Sequence, residues 1–326
     1  MRVVMAKIVS AGLLGFSEAA AHIRSGKLVA FGTETVYGLG GNAVDGEAVA
    51  RIFRAKGRPS FNPLISHVPQ ADIAFGLGKP TPLAQMLAAE FWPGPMTLVL
   101  EQRENCPISS LATSGLDSIA LRVPGSELAR AFLQEVSLPV AAPSANRSGR
   151  ISPTRADHVQ DELGAEADIA MILDMGPCVE GLESTVIDAR GQKPVILRPG
   201  SVTAEMIRDL TGVQLEKAGH DIVSPGQLAS HYAPRTPVVL NQSTPKENDA
   251  WIGFGDAPQG KAHAVFSFSE KGDLIEAAAS LYDTLRQADA AGAKRIAIAP
   301  IPAEGIGTAI NDRLLRAAAG SLALSD

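Results

Sequence analysis

From its start to about residue 211 the chain alternates short β-branched runs with helical patterns, and no other feature constrains the fold as much. Lys27–Phe31, Leu64–Val68, Met96–Leu100, Ser118–Val123, Val140–Ala142, Ile169–Leu173, Thr185–Asp188 and Val195–Leu197 read as strands. Between them Asp45–Ala55, Thr81–Phe91, Ser126–Val136, Thr154–Leu163 and Thr203–Leu210 have helical periodicity. Several open on Asp, Ser or Thr, whose side-chain oxygen accepts from the unpaired N–H groups of a first turn. In places two strands follow each other with no helix between, so the spacing predicts an α/β domain around a mixed sheet.

That rhythm breaks over residues 212–236, where Gly219, Pro225, Gly226 and Pro234 punctuate a stretch with little periodicity. The stretch reads as an interdomain linker, long for a compact fold and therefore expected to be ordered and functional, because its sequence is not of low complexity. A second α/β unit follows: Val238–Leu240, Trp251–Phe254, Ala264–Phe268 and Ile296–Ala299 are expected strands, Asp273–Ala290 and Gly307–Ala319 amphipathic helices. The predicted division is 1–211, 212–236 and 237–326.

A formal net charge of −6 argues against broad nucleic-acid binding, which needs a basic face to release counterions. Two isolated cysteines, Cys106 and Cys178, make no disulfide framework or metal cluster, and the six histidines lack zinc-site spacing. A reducing cytoplasm fits. The apolar run Ile8–Phe16 imitates a signal peptide, but it is short, broken by glycines, and passes into Ser17–Arg24, which reads as a capped helix. No run approaches the ~18 apolar residues that span a bilayer.

Chemistry concentrates in a few loops. After the first strand, Gly32-Thr33-Glu34-Thr35-Val36-Tyr37-Gly38-Leu39-Gly40-Gly41 reads as a glycine-rich turn or a ligand loop; it matches no dinucleotide fingerprint. Lys56-Gly57-Arg58 follows a helix, where the macrodipole favours cations, yet two cations around a glycine and before Pro59 and Pro63 exceed that need and suit phosphate capture. Arg122 and Arg198 each end an apolar strand, so each either pairs internally or awaits an anion. Ser144 and Asn146 stand just past a strand end, where ligands of open α/β sheets collect, although a Ser-x-Asn turn also serves as backbone capping. No nucleophile elbow is present. His67 reads as a core histidine and Trp92-Pro93-Gly94-Pro95 as a rigid turn.

Taken in order, Thr33-Glu34-Thr35-Val36-Tyr37-Gly38-Leu39, Lys56-Gly57-Arg58-Pro59 with Asn62-Pro63-Leu64, Trp92-Pro93-Gly94-Pro95-Met96-Thr97, Leu121-Arg122-Val123-Pro124, Pro143-Ser144-Ala145-Asn146-Arg147-Ser148-Gly149, Glu183-Ser184-Thr185-Val186 and Leu197-Arg198-Pro199-Gly200 resemble the threonylcarbamoyl-AMP synthases, the YrdC-like family. Ser230-His231-Tyr232-Ala233-Pro234 matches the linker of its long, two-domain form. One departure is Gly32, where the family commonly has proline. The resemblance implies a twisted mixed sheet around a large concave cavity, followed by a small Rossmann-like domain. It also implies a nucleotidyltransferase that forms threonylcarbamoyl-adenylate and pyrophosphate from L-threonine, bicarbonate and ATP. Partner proteins would then pass the group to tRNA beside the anticodon, with at most weak tRNA binding by the enzyme itself and no membrane.

On that resemblance ATP falls to Lys56, Arg58, Asn62, Ser118, Ser144, Asn146, Ser152, Arg198 and Tyr232, with Lys56 and Arg58 stabilising the transferring phosphate. Threonine falls to Thr35, His67, Arg122, the backbone at Ala142, and Ser184. Mg²⁺ would be held mainly by the ATP phosphates, with Ser144 and Asn146 nearby. Because the carbamate is labile in water, the stretch 224–234 is expected to close as a lid with Tyr232 on the nucleotide. Two rivals are weighed: a hydrogenase-maturation carbamoyltransferase, against which the lack of Cys-x-x-Cys fingers speaks, and a non-catalytic RNA-binding module, against which the acidic balance speaks.

Overall fold

The computed structural model describes residues 5–215 and 231–323. In chain order the elements are β1 (Lys7–Ser10), α1 (Leu13–Arg24), β2 (Leu28–Phe31), β3 (Gly38–Asn42), α2 (Gly46–Lys56), β4 (Ile65–His67), α3 (Ala71–Leu77), β5 (Gly78–Lys79), α4 (Pro82–Phe91), β6 (Met96–Gln102), β7 (Ser118–Arg122), α5 (Glu127–Val136), β8 (Val140–Ala141), α6 (Ala156–Leu163), β9 (Ile169–Asp174), β10 (Thr185–Asp188), β11 (Val195–Arg198) and α7 (Ala204–Thr211). After the undescribed stretch come β12 (Val238–Val239), β13 (Asp249–Phe254), β14 (Ala264–Ser269), α8 (Leu274–Ala290), β15 (Arg295–Ile298) and α9 (Gly307–Ala323).

The strands up to residue 198 form one 11-stranded sheet in the order β1-β9-β2-β3-β8-β4-β7-β6-β10-β11, with β5 beside β6. It is mixed, as the missing helices between some strands predict: β1–β9, β4–β7 and β6–β10 are parallel, whereas β2–β3, β4–β8, β6–β7 and β10–β11 are antiparallel. Asp45, Thr81, Ser126 and Thr203 cap α2, α4, α5 and α7, each accepting from a first-turn N–H. The aromatic rings of Phe16, Phe31 and Phe132 pack together where α1 and α5 cover the sheet.

Three local features differ from the sequence expectation. The glycine-rich run divides: residues 32–37 form a loop, and Gly38–Asn42 is strand β3, antiparallel to β2. A Cβ at Gly40 would lie 2.9 Å from Phe31 Cε1, and one at Gly41 3.0 Å from Ile52 Cδ1. The missing side chains admit these neighbours, and with glycine at three of its five positions the strand shows no periodicity. The run at Ile8 divides into β1, parallel to β9, and a helix that starts at Leu13, so Ser17 lies inside α1 instead of capping it. Helix α3 has no side-chain cap and only seven residues, too little pattern to read.

The described chain separates into two compact units; residues 149–152 and 179–182 group with 231–323, and the rest form the first unit. The second unit holds a four-stranded parallel sheet in the order β12-β15-β13-β14, with α8 against β13 and β14 and α9 against β12. Tyr232 lies in this unit, its ring stacked on Tyr282 at 5.6 Å with the buried Arg313 guanidinium 5.3 Å from its centroid. Most of the proposed 224–234 lid lies outside the described residues.

Candidate active site

Helix α2 ends by a device that also places its cations. Gly57 takes φ +60°, the left-handed conformation that closes a helix, and the Arg58 N–H returns to Phe53 O. Lys56 is turned inward, 3% exposed, and its Nζ donates to the carbonyls of Ser144 and Asn146 at 2.5 Å each. The loop after β8 is thus tied to the end of α2, and Ser144 also bridges to Gly38 at the start of β3. Arg58 is buried and donates to Asn62 O at 3.2 Å and Pro63 O at 3.0 Å. The Asn62 side-chain amide is 1% exposed, and neither its oxygen nor its nitrogen has a partner among the described residues. A buried amide normally has its hydrogen bonds made, so these atoms suit a bound ligand.

The sheet register aligns a second set. His67 stands opposite Arg122, Arg122 opposite Thr97, Thr97 opposite Val186, and Val186 opposite Arg198, so one rung crosses five strands with a cation at two places on it. Three strand spacings separate the two arginines, about 14 Å. Arg122 is 3% exposed; its Nη1 donates to Thr35 Oγ1 at 2.9 Å and its Nη2 to Glu34 Oε1 at 2.5 Å, while Nε has no partner among the described residues. Arg198 donates from Nε and Nη2 to Ser184 O and from Nη2 to Ser184 Oγ, and that hydroxyl meets Thr97 Oγ1 at 2.7 Å. Ser118 begins the strand that Arg122 ends, on the same face and about 13 Å away.

Electrostatics follows from this packing. Burial drives Lys56 from 10.5 to about 7, and the neighbouring Arg58 pushes the same way. His67 falls to about 3 through burial and then Arg122, so it is a neutral imidazole at physiological pH, its Nδ1 without a partner among the described residues. Burial alone would raise Glu34, but Arg122 and backbone N–H groups outweigh it and hold the carboxylate below its ordinary value.

Of the residues named from sequence, the structure ties Lys56 to Ser144 and Asn146, Arg58 to the Asn62 segment, Arg122 to Thr35, and Arg198 to Ser184. The Ala142 N–H is used within the sheet, donating to Ile65 O. Ser152 and Tyr232 belong to the second unit. Two participants were not named as site residues: Glu34, which occupies one arm of Arg122, and Thr97, which links Ser184 to the rung. Glu34 was signalled by its place between Thr33 and Thr35; Thr97 closes the motif Trp92-Pro93-Gly94-Pro95-Met96-Thr97, but its contact with Ser184 depends on cross-strand register.

The Sua5/YciO/YrdC family model, described as "Telomere recombination", matches residues 21–200, and the model for the threonylcarbamoyl-AMP synthase C-terminal domain matches residues 202–319. The chain belongs to the threonylcarbamoyl-AMP synthase family. It is 40% identical to the threonylcarbamoyl-AMP synthase of Bacillus subtilis over 93% of both chains, and 40% identical to that of Pyrococcus abyssi over 92% of both. A crystal structure of P. abyssi Sua5 complexed with L-threonine superposes with a TM-score of 0.86 at 37% identity, covering 97% of this chain and 98% of that one. The likeness spans both units and gives the family's two-domain architecture.

Proposed function

We propose that this chain is a threonylcarbamoyl-AMP synthase, a nucleotidyltransferase that joins L-threonine and bicarbonate to AMP from ATP and releases pyrophosphate. The product serves threonylcarbamoyladenosine modification of tRNA in the cytoplasm, with partner proteins completing the transfer. The names of the relatives and the threonine bound to the P. abyssi protein support this reading. The observation that carries it is the burial of four cations, Lys56, Arg58, Arg122 and Arg198, in the first unit. Buried cations are costly unless an anion or a hydrogen-bonded partner compensates them.

The carbamate oxygen attacks the α-phosphorus as the bond to the pyrophosphate oxygen breaks. No protein nucleophile is required, and catalysis rests on positioning and charge. Lys56 and Arg58 would neutralise the triphosphate, while Asn62, Ser118, Ser144 and Asn146 supply neutral hydrogen bonds along the nucleotide. Arg122 would receive the threonine carboxylate on its Nε edge, because Nε–H has no partner among the described residues while each Nη group already donates to Thr35 or Glu34. Neutral His67 and the Ser184 hydroxyl would place the threonine amine and side chain. Among the described residues no three His, Cys, Asp or Glu gather to hold a metal. Mg²⁺ would therefore enter on the triphosphate, with the Ser144 and Asn146 side-chain oxygens as hard donors, and would supply further charge neutralisation.

The test is to incubate the protein with ATP, Mg²⁺, bicarbonate and threonine and to seek the adenylate by mass spectrometry. Arg58→Ala should abolish the product while the circular dichroism spectrum is unchanged. Pyrophosphate release that does not depend on threonine would overturn the assignment.

A further inference from the structure

The second unit carries a cleft that the proposed reaction does not use. It has a volume of about 310 Å³, at the small end of the range for ligand pockets. Because the sheet there is parallel, the chain leaving β12, β13 and β15 emerges at one edge, and residues from all three segments line the cleft: Thr244 after β12, Asp256 and Gln259 after β13, and Pro300 after β15. The edge is also a switch point: from β13 the chain goes to its neighbour β14, whereas from β15 it goes to α9, which packs on the other side against β12. Ligands of open parallel sheets bind at such points, outside the carboxyl ends of the strands.

The lining states the chemistry. Trp251 and Phe254 provide aromatic surface, and Trp251 is 3% exposed with an Nε1–H that has no partner among the described residues. A buried indole N–H ordinarily has one. Gln259 and Thr244 add neutral donors and acceptors at the rim, and Asp256 is the single charged residue of the lining. No lysine or arginine contributes, and the segment Leu240-Asn241-Gln242-Ser243-Thr244 after the first strand has no glycine for close phosphate approach. A phosphate is therefore disfavoured, while an aromatic heterocycle with vicinal hydroxyls fits, since a carboxylate after the second strand of such a sheet accepts from ribose hydroxyls.

We propose that this cleft binds a nucleoside without its phosphate, the base packed among Trp251 and Phe254 and the ribose on Asp256. The site lies wholly within the second unit, so the proposal does not rest on the reaction described above.

The test uses the full chain labelled with ¹⁵N, whose two tryptophans, Trp92 and Trp251, give separate indole resonances. Adenosine, guanosine, cytidine and uridine are titrated in turn. At least one should move the Trp251 resonance saturably and leave that of Trp92 in place, and its 5′-monophosphate should bind more weakly. Asp256→Ala, a change at an exposed loop, should weaken binding roughly tenfold, the loss of one charge-assisted hydrogen bond. The proposal is overturned if no nucleoside moves Trp251 at its solubility limit. It is equally overturned if Asp256→Ala leaves the affinity unchanged, or if the monophosphate binds as tightly as the nucleoside.

Discussion

At Lys56 the ammonium is favoured in water and disfavoured where it stands, because burial and Arg58 act in the same direction. The drop from 10.5 to about 7 means that the packed site disfavours the ammonium by about 5 kcal/mol relative to water. The unfolded chain binds this proton more tightly, so stability rises as pH climbs from about 7 towards 10.5, and the penalty is present in full below 7. Replacing Lys56 with methionine removes that penalty, and the difference in Tm between Lys56→Met and the native chain should shrink steadily over this interval. A triphosphate beside the amine would restore its proton, so calorimetry in buffers of different ionisation enthalpy at pH 8 should register proton uptake on ATP binding, lost in Lys56→Met. Glu34 behaves oppositely. Its carboxylate is stabilised in the fold, so its contribution is present above 4.5 and disappears as pH falls through the lowered value. Glu34→Gln leaves Arg122 short of a buried anionic partner, at a cost of about 3–5 kcal/mol. The variant should show a lower Tm at neutral pH and a flatter acid limb in thermal melts.

Among the elements, α2 and β3 depend on glycine for different reasons. Gly57 has positive φ and open space around it, so Gly57→Ala meets only backbone strain, about 1 kcal/mol, and should lower Tm by about 2–4 °C. Because that residue also aims Lys56 and Arg58, the KM for ATP should rise with it. At Gly40 the obstacle is packing: an added Cβ meets Phe31, Val140 and the Val29 carbonyl within 3.1 Å. Gly40→Ala should cost about 1–3 kcal/mol, more than Gly57→Ala, in the same thermal melts. Gly32 belongs with Gly40, since a Cβ there would come within 3.1 Å of the Tyr37 ring.

For the whole molecule, the distribution of charge matters more than its sum. Among the described residues five cations are buried, Lys56, Arg58, Arg122, Arg198 and Arg313, and only three carboxylates, Glu34, Glu183 and Asp249, so the described surface is more acidic than a net charge of −6 implies. Filter binding should find tRNA affinity no tighter than ~10⁻⁴ M at physiological salt; submicromolar binding with a steep salt dependence and no ATP consumption would instead favour an RNA-binding role. The alternation of strand and helix, the capping residues and the break after residue 211 were legible because each rests on local backbone preference. Lys56, Arg58, Ser144 and Asn146 were legible as polar residues at element ends. Sequence could not show that Lys56 reaches the Ser144 loop, that Glu34 takes an arm of Arg122, or that His67, Arg122, Thr97 and Arg198 share one rung. Those relations follow from strand register and from side chains meeting across as many as ninety residues of chain. Local propensity fixed the elements; the electrostatic character of the site came only from which elements the sheet made neighbours, because burial and distance are properties of the packed chain.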